Sequence, residues 1–146
     1  MASNPFVQLG SLNKLLANVK FTTNPGLNIP AQYMSLDGLR VGFEGQAATP
    51  IDVMMGVVPS GNPYIRVTLR FGVVKSLAIA NAWKQQLESA AQVGDFVVRP
   101  DVAGFAAFDF SNGFILNPEE LVLNGSDASF RLSLCATYYI NSSLFP

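Results

Sequence analysis

Apolar and polar side chains alternate through residues 64–74, the pattern of a β-strand with one buried and one solvent-exposed face. The apolar positions of this strand are Ile65, Val67, Leu69, Phe71 and Val73. The polar positions are Tyr64, Arg66, Thr68 and Arg70. An apolar segment, Ile51–Val58, precedes it, and the turn residues between the two are Pro59, Ser60, Gly61, Asn62 and Pro63. The pattern predicts a long hairpin over residues 51–74.

A helical spacing of apolar residues follows the hairpin and predicts an amphipathic helix over residues 76–92. Its apolar stripe consists of Leu77, Ala80, Trp83, Leu87 and Ala91. Ser76 suits the start of this helix and Gly94 its stop. Lys84 and Glu88 lie off the stripe and can pair at i,i+4. We expect the stripe to pack on the sheet with Trp83, the only tryptophan, as its anchor; stacking on a ligand is the alternative role for this residue.

Shorter alternating segments predict the remaining strands. They cover residues 19–23, 32–36, 39–44, 95–99, 108–110, 114–116 and 130–140. Turn signals separate several of them, at Asp37-Gly38, at Ser111-Asn112-Gly113 and, most strongly, at Asn124-Gly125. Residues 1–10 suit an extended N-terminal arm, and residues 141–146 form a short tail. The expected fold is a single, mainly β domain over residues 1–146 with one α-helix.

The composition is apolar and poor in charge. Apolar residues make up 49% of the chain and charged residues 13%, about half the usual charged share of soluble domains. No apolar run has the roughly 18 residues of a membrane-spanning helix, and residues 1–5 lack the features of a signal peptide. We therefore expect synthesis in the cytoplasm, no membrane anchor, and a surface that is largely covered by subunit contacts. An ordinary monomeric β-domain with a large core is the alternative.

Groups that carry catalysis are scarce in this sequence. It has no histidine, one cysteine (Cys135) and a net charge of −1, so it offers no histidine-dependent nucleophile and no cysteine metal cluster. The adjacent carboxylates Glu119 and Glu120 follow a turn signal and point apart. We expect no enzyme activity, cofactor or metal. Arg66 and Arg70 would form either a weakly electropositive row or ion pairs with Asp52 or another acid.

Four segments resemble one protein family. They are Leu36–Gly45, the connector Ala48–Pro50, the helix Ser76–Glu88 and the ending Tyr138–Ser143. In these segments, and in the order of its elements, the chain resembles the tail tube proteins of contractile-tailed bacteriophages. The resemblance extends over nearly the whole chain.

This resemblance implies a fold, an assembly and a set of partners. The fold would be an antiparallel β-sandwich or incomplete barrel flanked by a helix, a plan shared with baseplate initiator rings and type VI secretion tubes. Hexameric rings would stack into an inner tail tube within the virion, through which double-stranded DNA passes. The other partners would be the tail sheath, baseplate and tail-terminator proteins.

The resemblance also implies roles for particular residues. Contacts between stacked rings would come from Phe6 in the arm and from the loop Pro59, Ser60, Gly61, Asn62 and Pro63. The channel would be lined by Tyr64, Arg66, Thr68 and Arg70. Two alternatives stay open: an initiator or adaptor ring of the baseplate with the same fold, and a stand-alone β-sandwich module that binds carbohydrate or peptide.

Overall fold

Two antiparallel sheets and one α-helix make up residues 9–145, the part of the chain that the computed structural model describes. The strands are β1 Asn18–Phe21, β2 Met34–Glu44, β3 Ala48–Val53, β4 Gly56–Gly61, β5 Tyr64–Val74, β6 Gln92–Arg99, β7 Phe108–Pro118 and β8 Ser129–Tyr139. The helix, α1, spans Ala78–Ser89, and short 3-10 turns lie at Pro25–Leu27 and Ala31–Tyr33. Most of the arm predicted over residues 1–10, including Phe6, lies outside the described residues.

The larger sheet has six strands in the order β1-β6-β7-β8-β5-β2 and curls into a half-barrel. Its centre is the pairing of β5 with β8, which runs without interruption from Tyr64 opposite Tyr139 to Val74 opposite Ser129. The mainly β, incomplete-barrel fold is thus confirmed. No helix within residues 9–145 is both long and apolar enough to cross a membrane.

The core lies on the concave side of this sheet, under α1. The apolar positions of β5 from Val67 to Val73 are buried there. Trp83 is 0% exposed, and its ring centroid lies 5.2 Å from that of Phe21 and 5.0 Å from that of Phe71. Side chains on two strands, β1 and β5, therefore meet the helix around one tryptophan, which joins the helix to the sheet.

The helix is shorter than the sequence predicts, and two residues of its predicted apolar stripe lie outside it, Leu77 and the exposed Ala91. Because α1 begins at Ala78, Leu77 is the N-cap residue and is 38% exposed, so it does not pack in the core. Ile79 takes the buried position, together with Ala80 and Trp83, while Leu87 packs at the margin of the core. Lys84 Nζ and Glu88 Oε1 do pair, at 2.9 Å.

The predicted hairpin over residues 51–74 is wrong. β3 pairs with β4 in a separate two-stranded sheet that turns at Met54-Met55, and β5 pairs with β2 and β8 instead. Gly56, with φ +150°, closes the turn in a conformation that favours glycine. Pro50 lies opposite Pro59, which a two-stranded ribbon tolerates because one edge of each strand needs no donor.

Several glycine and asparagine signals mark irregular strands and not turns or helix ends. Gly94 (φ +80°) lies within β6 and does not end the helix, and Asn112 (φ +54°) lies inside the single strand β7, where two strands were predicted. Gly38 (φ +68°) likewise lies inside β2. At each place the strand pairing shifts register, and such bulges require the same backbone angles as tight turns.

The Asn124-Gly125 signal lies in the connection between β7 and β8, which is longer than a two-residue hairpin turn. Gly125 has φ +78°, and Asn124 Oδ1 accepts a hydrogen bond from the backbone N–H of Ser126 at 3.0 Å. The local turn chemistry is therefore present, but the strands it joins begin several residues away on each side.

Candidate assembly interface

The face of the large sheet that points away from the core carries paired charges. Arg66 Nε donates to Glu44 Oε2 at 2.7 Å, and Thr68 Oγ1 donates to Glu44 Oε1 at 2.9 Å. The hydrogen bond from Arg66 is the largest cause that holds the pKa of Glu44 below its ordinary value, and the bond from Thr68 follows. Glu44 stands at the end of β2 directly opposite Arg66, so the strand register itself places the pair.

A second pair lies further along the same face. Arg70 Nε is 3.9 Å from Glu119 Oε1, and Ser133 Oγ donates to that same oxygen at 2.8 Å. Asp52, the acid that the sequence suggests as a possible partner of Arg66 and Arg70, takes no part, because it lies on the separate β3–β4 hairpin. The partners are Glu44 and Glu119.

Arg131 is the centre of a third charged cluster, which reaches from β8 across β5 to β2. Its Nε lies 2.9 Å from Asp37 Oδ2 and its Nη1 3.0 Å from Asp127 Oδ2. Gly72 stands opposite Arg131 in β5, and a Cβ there would collide with Ser35 Oγ. Glycine at position 72 therefore leaves room for the cluster to cross the strand.

The pKa values of both carboxylates in this cluster are lowered. For Asp37 the largest cause is a hydrogen bond from the side chain of Ser129, followed by the contacts with Arg131. For Asp127 it is the backbone N–H of Ser129, at 2.9 Å, again followed by Arg131. Arg66, Arg70 and Arg131 thus lie beside carboxylates on this face, and pairing of this kind reduces the attraction that it offers to phosphate. Arg40, opposite Arg70 in the register, is exposed and pairs with no carboxylate of residues 9–145.

The β3–β4 hairpin (residues 48–61) projects from the domain and exposes apolar side chains on both faces. Met54 and Met55 form its tip and are 100% and 97% exposed. The other large exposed apolar side chains are Ile51, Val53, Val57 and Val58. Asp52 is the only charged residue of the hairpin. A free-standing apolar hairpin is marginal in water, and it is the kind of surface that is covered in an assembly.

Asparagine side chains fix the base of the hairpin. Asn141 Nδ2 donates to the carbonyl oxygens of Ala47, at 2.8 Å, and Asn62, at 2.7 Å. Asn62 Nδ2 donates in turn to the carbonyl oxygen of Gln46 at 2.7 Å. Asn141 has φ +55°, a conformation that asparagine tolerates better than most residues. The start of the C-terminal tail therefore holds the hairpin in a fixed direction.

The loop 59–63, predicted to reach a neighbouring ring, lies at this base. Pro59, Ser60 and Gly61 complete β4, and Asn62 and Pro63 lead into β5. The end that projects farthest is Met54-Met55, so the candidate contact moves to the other end of the hairpin. Two methionines without glycine or proline gave no turn signal, and only their apolar character pointed to a contact.

The large sheet also leaves a long edge strand open. β2 has eleven residues, and within the described part of the chain β5 is its only strand partner. Beside it, a cleft of about 620 Å³ lies between β2 and the end of β6. We call this the β2–β6 cleft. An unpaired edge invites pairing with another chain unless it is covered.

No cluster of histidine, cysteine, aspartate or glutamate among the described residues is suited to hold a metal ion. Cys135 is buried on β8, and burial raises the pKa of its thiol, which disfavours the reactive thiolate.

No family model matches the sequence, and no curated protein matches it.

Proposed function

We propose that this chain is a structural subunit of the inner tail tube of a contractile phage tail. Copies assemble into hexameric rings, and the rings stack around a channel for double-stranded DNA. The observation that carries the proposal is the β3–β4 hairpin, which exposes apolar side chains on both faces and is anchored at its base by Asn141 and Asn62. The sequence resemblance supplies the kind of assembly.

The shape of the large sheet supports ring closure. A half-barrel with an eleven-residue open edge can continue into the sheet of a neighbouring copy. A closed ring of such sheets leaves no edge strand free to aggregate. In this arrangement β2 lies at the boundary between subunits.

The paired charges support the polar face as the channel lining. DNA must pass without being held, and affinity for DNA rises with each phosphate that a free cation neutralises. Glu44 occupies Arg66, and Glu119 lies beside Arg70. Tyr64, Arg66, Thr68 and Arg70 stay the proposed lining residues on this ground.

The proposal gives the chain partners and a location but no catalytic activity. It acts in the virion, with the tail sheath around the tube and baseplate and tail-terminator proteins at its ends. It uses no cofactor. The second candidate, a baseplate initiator or adaptor ring, shares the fold and differs in whether rings stack.

Size-exclusion chromatography with light scattering, followed by negative-stain microscopy of the purified chain, tests the proposal. Hollow tubes or stacked hexameric rings are expected. Hexamers that never stack favour the initiator ring. A chain that stays monomeric at high concentration contradicts both and favours the stand-alone binding module.

A charge-removal pair tests the channel lining. Glu44→Gln with Glu119→Gln frees two arginines, so we expect assembled particles to gain DNA binding that weakens as salt rises. Fluorescence anisotropy with short duplex DNA measures this, with Glu88→Gln on α1 as the matched control. Equal DNA binding by all three proteins would argue against this face as the channel wall.

A further inference from the structure

We propose that the tip of the β3–β4 hairpin of one copy docks into the β2–β6 cleft of a second copy. This inference rests on the proposed function, because it requires self-assembly. It adds the receiving surface, the cleft beside β2, which the proposed function leaves unassigned.

The cleft exists because the half-barrel does not close. β1 ends the sheet on one side and β2 on the other, and the backbone N–H of Asn13 donates to the carbonyl oxygen of Asp101 at 3.0 Å, which holds residues 9–17 beside the opening. The apolar residues that line the cleft are Met34, Leu36, Leu39, Val41, Val98 and Phe108. The cleft therefore offers a mainly apolar floor at the edge of the sheet.

The size of the cleft suits the hairpin tip. Its volume of about 620 Å³ lies within the range of roughly 300–1,000 Å³ that encloses a drug-sized group. Met54 and Met55, with Val53 beside them, are the exposed apolar side chains of the tip that would enter it. Methionine side chains are flexible and fill irregular apolar gaps well.

Charge complementarity gives the contact a direction. The hairpin carries one charge, Asp52. The cleft is bordered by Lys14, Arg99 and Asp101, and no carboxylate of residues 9–145 pairs with either cation. The apolar tip would enter the cleft while Asp52 faces a rim with an excess of positive charge.

The occupant must come from another copy. Met54 and Met55 are almost fully exposed in their own chain, and Leu36 on the cleft is also fully exposed, so the hairpin does not fill its own cleft. A contact between two different patches is head-to-tail. Such contacts propagate into rings or stacks, which is the behaviour that the proposed function requires.

Disulfide crosslinking between two differently tagged chains tests the docking. One chain carries Met55→Cys and the other Leu36→Cys, both in a Cys135→Ser background, and the control pair replaces Leu36→Cys by Ser89→Cys on α1. After mild oxidation, non-reducing electrophoresis should show a mixed dimer for the first pair at least about tenfold above the control, because only close sulfurs form the bond.

A charge exchange provides a second arm. Asp52→Lys should raise the concentration needed for half-assembly about tenfold, since like charges then face each other. Combining it with Lys14→Glu and Arg99→Glu should restore most of the loss. Restoration is not expected if these positions are remote in the assembly.

The outcomes separate the two proposals. Assembly with a crosslink no stronger than the control overturns the docking and leaves the tube proposal standing. Failure of the Cys135→Ser parent to assemble, where the natural chain also fails, overturns both. A further variant carries Phe6→Cys and Leu36→Cys in one chain. If this pair forms a disulfide without assembly, the N-terminal residues occupy the cleft, and the docking proposal is overturned.

Discussion

Placing two charges at the hairpin tip should abolish assembly and leave the domain folded. The perturbation is Met54→Asp with Met55→Asp. Both side chains are almost completely exposed in the single chain, so their removal takes no contact from the core. The matched control is Met54→Leu with Met55→Leu, which keeps the tip apolar and similar in size.

The magnitude follows from the surface that the two side chains would bury. Full burial of a methionine side chain contributes about 1.5–3 kcal/mol, so the pair contributes about 3–6 kcal/mol to each contact. This corresponds to a loss of about 10²- to 10⁴-fold in the association constant. Burial of two aspartates adds a desolvation cost in the same direction.

Sedimentation velocity over a range of concentrations measures the effect, with circular dichroism to follow thermal unfolding. We expect the aspartate variant to stay monomeric where the natural chain and the leucine control assemble, with similar melting temperatures for all three. Assembly of the aspartate variant at the same concentration would refute the role of the hairpin. A large fall in its melting temperature would refute the independence of the hairpin from the core.

Three further predictions concern the core, the hairpin base and the charged cluster. Trp83→Ala should lower the free energy of unfolding, measured in urea, by about 3–5 kcal/mol. Trp83→Phe should lower it by less than about 1.5 kcal/mol, because the buried indole N–H has no partner among the described residues and its removal offsets part of the lost packing. Equal losses for the two variants would contradict this. Asn141→Ala removes the two hydrogen bonds at the hairpin base. It should therefore speed hydrogen exchange of the backbone amides of residues 48–61 with little change in melting temperature. Unchanged exchange rates would show that Asn141 does not anchor the hairpin. The pKa values of Asp37 and Asp127 are lowered in the folded chain, so the stabilisation they provide is present above the pKa of about 4 of the unfolded state and is lost as the pH falls through the lower folded values. Between pH 6 and pH 2 the melting temperature should therefore fall less steeply in the Asp37→Asn, Asp127→Asn variant than in the natural chain. Parallel profiles would contradict the cluster around Arg131.

The alternation of residues 64–74 predicted its strand well because the core takes the apolar face and the exposed Arg66 and Arg70 lie on the other. Burial does not alternate strictly, since Thr68 and Gly72 on the polar face are buried as well. The partner of that strand was not predictable in the same way. Pairing of β5 with β2 and β8 depends on complementary surfaces that are far apart in the sequence. The hairpin prediction, by contrast, paired two segments because they are adjacent in the sequence.

Local turn chemistry was informative about backbone angles and misleading about topology. Gly94, Asn112 and Gly38 all adopt positive φ, as their residue types indicate, yet they lie inside strands. A bulge and a turn require the same angles. The one true tight turn of the projecting hairpin, at Met54-Met55, has no such residue before Gly56, whereas the proline-flanked segment 59–63 carries the stronger turn signal.

The candidate interface was only partly visible in the sequence. Low charge and a high apolar content indicated that some surface would be covered, but they did not indicate which. The hairpin can be recognised as a candidate contact only from the structure, which shows that both of its faces are exposed. The cleft is formed by β2, β6 and β7, which lie far apart in the chain. The partners of Arg66 and Arg70 depend likewise on register.

An electron cryomicroscopy reconstruction of the particles formed by the purified chain tests the central claim most directly. We expect closed rings in which β2 continues into the sheet of a neighbouring copy, and in which Arg66 and Glu44 face a central channel. A chain that remains monomeric in the images, or an assembly that places the Arg66 and Glu44 face on its outer surface, would contradict this account.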